Sequence, residues 1–180
     1  ITFFTEAFQG SLIDVIRIPV PTSGNETQSK EALLNAIQTN SCAAFIFEPL
    51  VQGAAGMVMY TPEMLDELIS ICKTNDVFTI ADEVMTGFGK TGKTFACDYL
   101  TQQPDMMCLS KALTGGTIPM AITTFTQQIF DGFYDDDTKK ALFHGHTFTA
   151  NPTGCAAALA SLKLLQSEEM QSNIQRINQK

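Results

Sequence analysis

The chain has 180 residues, the size of one domain with a sizeable core, and 44% of them are apolar, an ordinary fraction for a soluble globular protein. Its 19 acidic and 11 basic residues give a net charge of −8, which argues against a surface for nucleic acid or an anionic membrane. No apolar stretch approaches the ~18 residues of a membrane span, and Ile1-Thr2-Phe3-Phe4 lacks the basic start of a secretory signal, so the expected location is the cytoplasm.

Along the chain, short apolar runs alternate with helical patterns. Candidate strands fall at residues 2–4, 15–18, 43–47, 78–81, 106–109 and 120–125. Several are continuous rather than alternating, the mark of strands buried on both faces. A helix is expected at 28–38, after the turn-forming Pro21-Thr22-Ser23-Gly24-Asn25. The next is expected at 62–73, with Thr61 as N-cap, Pro62 at its first position and Glu63 near its positive end. A third, rich in Ala and Leu, spans 152–166 with Asn151 as its cap. This alternation predicts an α/β three-layer sandwich around a mostly parallel sheet. Ligands of such sheets gather at the carboxyl ends of the strands.

The five cysteines (Cys42, Cys72, Cys97, Cys108 and Cys155) are odd in number and none are at metal-ligand spacing, so they read as reduced thiols. His144 and His146 are too few to predict a metal site. Gly87-Phe88-Gly89-Lys90-Thr91-Gly92-Lys93-Thr94 matches the phosphate-binding P-loop at every fixed position. Its context does not match. Glu83-Val84-Met85-Thr86 separate it from the strand end at Asp82, and no later strand ends in a magnesium-binding Asp. A glycine-rich surface turn is the expectation.

The chemistry-bearing pair is Asp82 and Lys111. Asp82 closes the run Val77-Phe78-Thr79-Ile80-Ala81, and Lys111 lies 29 residues further on, in Met107-Cys108-Leu109-Ser110-Lys111-Ala112-Leu113-Thr114-Gly115-Gly116. A strand-end acid and a strand-end lysine so placed form the polar core of a pyridoxal 5'-phosphate (PLP) site. The lysine condenses with the cofactor aldehyde, and the acid keeps the pyridine nitrogen protonated. Gly115 and Gly116 would let the backbone turn tightly beside the cofactor. Glu48 closes the run Ala43-Ala44-Phe45-Ile46-Phe47 and is a further strand-end acid.

Residues Ile80-Ala81-Asp82-Glu83-Val84-Met85-Thr86-Gly87-Phe88-Gly89-Lys90-Thr91-Gly92 resemble the signature of class III (ω-type) PLP-dependent aminotransferases, and the false P-loop is part of that signature. Glu48-Pro49-Leu50-Val51-Gln52-Gly53, residues 109–116 and His144-Gly145-His146-Thr147-Phe148-Thr149-Ala150-Asn151-Pro152 narrow the resemblance to the family's biotin-biosynthesis branch. Ornithine- and GABA-type relatives usually lack the inserted Val51. The resemblance implies a PLP fold-type I large domain and a homodimer with active sites at the interface, acting on small-molecule substrates. For the branch it implies S-adenosylmethionine as amino donor and 7-keto-8-aminopelargonic acid as acceptor.

By the same resemblance Lys111 is the catalytic lysine and Asp82 the partner of the ring nitrogen. Val84 presses on the ring face, and Thr147 reaches the cofactor phosphate of the neighbouring subunit. Glu48, Gly145 and His146 lie on the substrate side, with a structural salt bridge as the other reading of Glu48. Met85 stands where some relatives carry a Gln that reaches the ring hydroxyl. Phe8-Gln9-Gly10-Ser11-Leu12 departs from the family's Tyr-His-Gly-Asp-Thr, and Phe8 would take the stacking role of the Tyr. Residues 1–180 are then the central part of the large domain, without the family's N-terminal segment and small C-terminal domain. Arg17 and Arg176, the only arginines, do not match the family's substrate-carboxylate arginine. Three alternatives stay open: another class III ω-aminotransferase, a P-loop nucleotide-binding protein, and a fragment without activity of its own.

Overall fold

The computed structural model describes residues 13–145 and 147–179. The expected strand at 2–4, together with Phe8 and His146, lies outside them. Six strands and five α-helices are present among the described residues. The strands are β1 (Ala44–Phe47), β2 (Val51–Gln52), β3 (Val58–Met59), β4 (Phe78–Asp82), β5 (Met106–Leu109) and β6 (Ile122–Phe125). The helices are α1 (Glu26–Thr39), α2 (Pro62–Thr74), α3 (Gln127–Asp131), α4 (Pro152–Leu165) and α5 (Glu168–Asn178).

The main sheet has the order β1-β4-β5-β6. β1 and β5 both run parallel to β4, and β6 runs antiparallel to β5. The fold is therefore mixed α/β with a mainly parallel sheet, as the alternation predicts. The exception has a physical cause: the link from β5 to β6 holds only one 3-10 turn, Lys111–Thr114. A parallel return needs a full crossover, usually a helix.

α2 is set by its sequence. Pro62 occupies the first turn, Glu63 sits at the positive end and Lys73 at the negative end. Thr61 is the N-cap residue but makes no side-chain cap bond. The Glu63 carboxyl is held below its ordinary pKa first by its own backbone N–H and then by the Thr61 side chain. Leu65, Leu68, Ile69 and Cys72 follow helical spacing and are all buried. Leu65 and Ile69 pack on the sheet with Phe47, Ala81, Cys97 and Leu100. Leu68 and Cys72 pack with Leu33 of α1 and with Val77. α2 is thus wedged between the sheet and α1, and one face of the sheet is covered.

Alternation along β4 puts Thr79 and Ala81 on that covered face, both fully buried. Phe78, Ile80 and Asp82 point to the opposite face. That face is more open among the described residues: Ile46, in register with Ile80, is 59% exposed. The start of β4 is locked to the loop before β5. One carboxylate oxygen of Asp105 accepts from Thr79 N (2.8 Å) and Thr79 Oγ1 (2.7 Å), and Asp105 N donates back to Thr79 Oγ1 (3.1 Å).

Several elements differ from expectation. Residues 15–18 carry no strand, although Ile18 packs beside α1. Pro19 and Pro21 remove ladder donors immediately after them. β2 and β3 form a two-residue antiparallel pair that short patterns do not reveal. α5 is mostly polar, with Ser167 capping it through Met170 N.

Candidate active site

Asp82 and Lys111 come from neighbouring parallel strands. Asp82 is the last residue of β4 and pairs in register with Cys108 of β5. Two residues after β5 ends, Lys111 opens the 3-10 turn. Both groups therefore sit at the carboxyl edge of the sheet, where ligands of such folds bind. Asp82 is half-buried. Its Oδ1 accepts from Val84 N at 3.0 Å, and among the described residues Oδ2 has no donor. The Cys108 thiol, on the same face, is pushed up by partial burial first and by the Asp82 carboxylate second.

Lys111 is exposed, and its ammonium has no hydrogen bond or ion pair among the described residues. Its backbone lies in the left-handed region, with φ +43°. A residue with a Cβ is uncommon there, and such strain gathers at functional sites. The turn is held from several sides. Leu113 N donates to Ser110 O (2.9 Å), Ser110 Oγ to Met120 O (2.8 Å), and Ser161 Oγ of α4 to Ala112 O (3.0 Å). Gly115 and Gly116 follow at φ +62° and +77°, so the expected tight turn is present.

Val84 is half-buried and follows Asp82 directly in space through that shared hydrogen bond. Glu48 follows β1 at the same sheet edge, with Oε2 accepting from Gly53 N at 2.9 Å and its carbonyl accepting from the Tyr60 hydroxyl. The two ion pairs among the described residues, Lys30–Glu67 and Lys140–Asp135, do not involve it. Burial, then Glu48, pushes the Tyr60 phenol above its ordinary range. Met85 leans on the same corner, its sulfur lying where a Cβ on Gly53 would stand. Gly145 and Thr147 are exposed in the segment leading to α4. Among the described residues no hydrogen bond ties them to Lys111. Asn151 caps α4 as expected, accepting from Gly154 N at 2.7 Å.

The P-loop pattern does not form a phosphate cradle. Its amides are spent on the chain itself: Gly87 N on Glu83 O (2.9 Å), Gly89 N on Thr94 O (3.1 Å) and Gly92 N on Gly89 O (3.2 Å). Lys93 Nζ donates to Asp98 O at 2.7 Å and stands 4.3 Å over the Tyr99 ring. A 3-10 turn (Ala96–Tyr99) follows the loop, where a P-loop leads into an α-helix. A cleft of about 690 Å³ lies behind the Lys111 turn, between Phe88, Gly89, Ala112, Leu165 and Ile174. Neither Asp82 nor Lys111 lines it.

Sequence reasoning missed Glu83. It is fully buried, yet it hydrogen-bonds through both carboxylate oxygens. The available signal was the alternation itself: an acid next to Asp82 must face the covered side of β4.

The class-III aminotransferase family matches residues 3–180. The chain belongs to that family. Among curated relatives, the adenosylmethionine-8-amino-7-oxononanoate aminotransferase of Synechococcus elongatus is 46% identical over 176 residues, 93% of this chain and 42% of the relative. The solved enzyme of the same name from Methanocaldococcus jannaschii superposes with a TM-score of 0.87 at 35% identity, over 97% of this chain and 41% of that one. An (S)-enantioselective ω-transaminase from Thermomicrobium roseum also reaches 0.87, at 27% identity, over 96% of this chain and 41% of that one. The chain thus spans about two fifths of the length of these relatives. No helix of the described residues is long and apolar enough to cross a membrane.

Proposed function

We propose that the protein is a PLP-dependent aminotransferase moving an amino group from S-adenosylmethionine to 7-keto-8-aminopelargonic acid, giving the 7,8-diamine of biotin biosynthesis. The observation that carries this reading is the pairing of Asp82 and Lys111 at the ends of adjacent parallel strands, inside a chain of class-III type. The two names that share the donor and acceptor, at 46% and 35% identity, support the substrates.

The residues fit the cofactor. Among the described residues Oδ2 of Asp82 has no donor and is an acceptor for a ring N–H, and the exposed Lys111 side chain has no hydrogen-bond or ion-pair partner. Bound PLP supplies an electrophilic aldehyde and an electron-accepting ring. Lys111 would hold the aldehyde, and its Nζ would carry a proton at the reacting carbon. Asp82 holds a proton on the ring nitrogen by charge and hydrogen bond. Val84 would press on the ring face and limit the access of water there. Glu48, Gly145 and His146 would serve the substrate side, and Phe8 would take the stacking role beside the ring. Thr147 reaches the phosphate held by a second copy, so the working unit is a homodimer. Residues 1–180 form the central part of its large domain, in a cytoplasmic enzyme.

A second reading has its own support. The ω-transaminase superposes as well as the branch enzyme does, which fits a different terminal amine as donor. Borohydride reduction of the intact protein with PLP, followed by peptide mass spectrometry, tests the cofactor and lysine together. A pyridoxyl group on Lys111 is expected. An unmodified Lys111 in folded, full-length protein refutes the aminotransferase reading. Amination of the keto acid by S-adenosylmethionine, but not by ornithine or GABA, separates the two donors.

A further inference from the structure

We propose that Glu83 is the positioning residue of this site: a buried carboxylate that clamps the end of β4 so that Asp82 is held toward the cofactor. The inference rests on the aminotransferase reading and adds to it a residue that never touches cofactor or substrate.

Glu83 is 0% exposed. Its Oε1 accepts from Cys97 N at 2.7 Å, and its Oε2 accepts from Thr86 Oγ1 at 2.5 Å and Ala96 N at 3.1 Å. Its backbone is used as well. Glu83 N donates to Cys108 O (3.0 Å), extending the β4–β5 ladder by one step, and Glu83 O accepts from Gly87 N (2.9 Å). Five bonds thus converge on one residue and tie together β5, the glycine-rich loop and the 3-10 turn Ala96–Tyr99. Ala96 and Cys97 are themselves buried, and Cys97 belongs to the cluster beneath the sheet. Side chains alternate along a strand, so fixing Glu83 below the sheet fixes Asp82 above it. Among the described residues the Asp82 carboxylate has little support of its own: it accepts one hydrogen bond, from Val84 N, which belongs to the same loop. Site groups need packing or hydrogen-bonded support to hold a productive geometry. For Asp82 that support comes through the backbone from Glu83.

The chemistry of the clamp makes it testable without a large change in shape. Both oxygens of Glu83 act only as acceptors. In Glu83→Gln one of them becomes an NH2 donor. Whichever way the amide turns, it faces either Cys97 N–H or the Ala96 N–H and Thr86 hydroxyl, and a donor meets a donor.

The experiment compares intact wild-type protein with Glu83→Gln, Thr86→Val and Leu68→Ala. The last is a destabilising control in the α1–α2 cluster, away from the clamp. Two quantities are read well below the unfolding temperature: amide hydrogen exchange of residues 82–87 in the cofactor-free protein, and the Kd for PLP from its visible absorption. Glu83→Gln is expected to speed exchange in that segment and to weaken PLP binding about tenfold, as lost outer-shell support does elsewhere. Thr86→Val, which keeps the two backbone donors, shifts both in the same direction by less, and it carries the test if Glu83→Gln does not fold. Leu68→Ala lowers stability but leaves both readings at the wild-type value. Wild-type exchange and Kd in the folded Glu83 and Thr86 variants overturn the proposal, as does an equal loss in Leu68→Ala. A wild-type protein that binds no PLP refutes the aminotransferase reading and this inference together, whereas normal wild-type binding with unaffected variants refutes this inference alone.

Discussion

Lys111 sits at φ +43°, and this predicts that removing its side chain entirely should stabilise the fold while abolishing the reaction. The left-handed region costs a residue with a Cβ about 1–2 kcal/mol relative to glycine. Glycine gives back about 0.4–1 kcal/mol, because its unfolded chain is freer. Lys111 has no hydrogen bond or ion pair among the described residues and is exposed, so truncation to Ala loses almost no packing. The net expectation is that Lys111→Gly is more stable than Lys111→Ala by about 0.5–1 kcal/mol. At about 2–4 °C per kcal/mol for a domain of this size, that is a difference of about 1–4 °C in Tm. The assay is calorimetry of both cofactor-free variants under identical conditions, so that loss of PLP binding affects neither. Both are inactive, which removes activity as a confounder. A Lys111→Gly protein less stable than Lys111→Ala would refute the idea that strain is held at the lysine.

Asp82→Asn should lower kcat/KM by about 10²-fold or more, because it removes a fixed charge aimed at the reacting ring; a half-reaction with a single amine donor measures it. Lys93→Ala should leave PLP binding and amino transfer within about twofold, since among the described residues its ammonium serves only the Asp98 carbonyl and the Tyr99 ring, and nucleotide should not protect the wild type against heating. Cys72, fully buried, has its thiol pushed from 9.0 to about 12 by burial first and then by Asp105 and Cys42. At pH 8 only about one molecule in 10⁴ carries the reactive thiolate, so alkylation of native protein should spare Cys72 while reaching it in denaturant; peptide mass spectrometry reads the difference. The same shift has a sign for stability. A raised pKa in the folded state favours the neutral thiol, so its contribution is complete below pH 9 and is lost as pH rises from 9 toward 12. Cys72→Ala should flatten the alkaline fall in Tm over that window.

Much of this architecture was legible because single residues carried strong local signals. Pro62, Glu63 and Lys73 marked both ends of α2 to within a residue. The runs at 78–81 and 106–109 were apolar enough to be central strands, and β4 and β5 occupy nearly those residues. The failures have physical causes. Residues 15–18 look like a strand, but a strand exists only with a partner edge, and the prolines behind it deny the ladder. β2 and β3 are too short for any period to show. α5 hides its apolar face in three residues, Met170, Ile174 and Ile177, spaced four and three apart among polar neighbours. At the site, the pairing of Asp82 with Lys111 followed from strand ends alone. The strain at Lys111 and the clamp at Glu83 did not, since backbone angle and buried partners arise only when distant segments meet. The false P-loop shows the reverse case: each fixed residue of the pattern is there, but its amides face inward.

The adjacency of Asp82 and Glu83 sets a limit on what can be inserted or deleted. The two acids are one residue apart and point into opposite environments, one toward the ligand edge and one beneath the sheet. A one-residue deletion within β4 would exchange those environments. Asp82 would arrive where Ala81 now packs at 0% exposure, and Glu83 would arrive at the sheet edge with its three donors left behind. An acid would still stand beside the ligand, so the chemistry on paper would survive, but nothing beneath it would hold. Across homologous chains, substitutions within β4 should therefore be common and changes in its length absent, while the turn from Gly89 to Gly92, which carries no such parity, is free to lengthen.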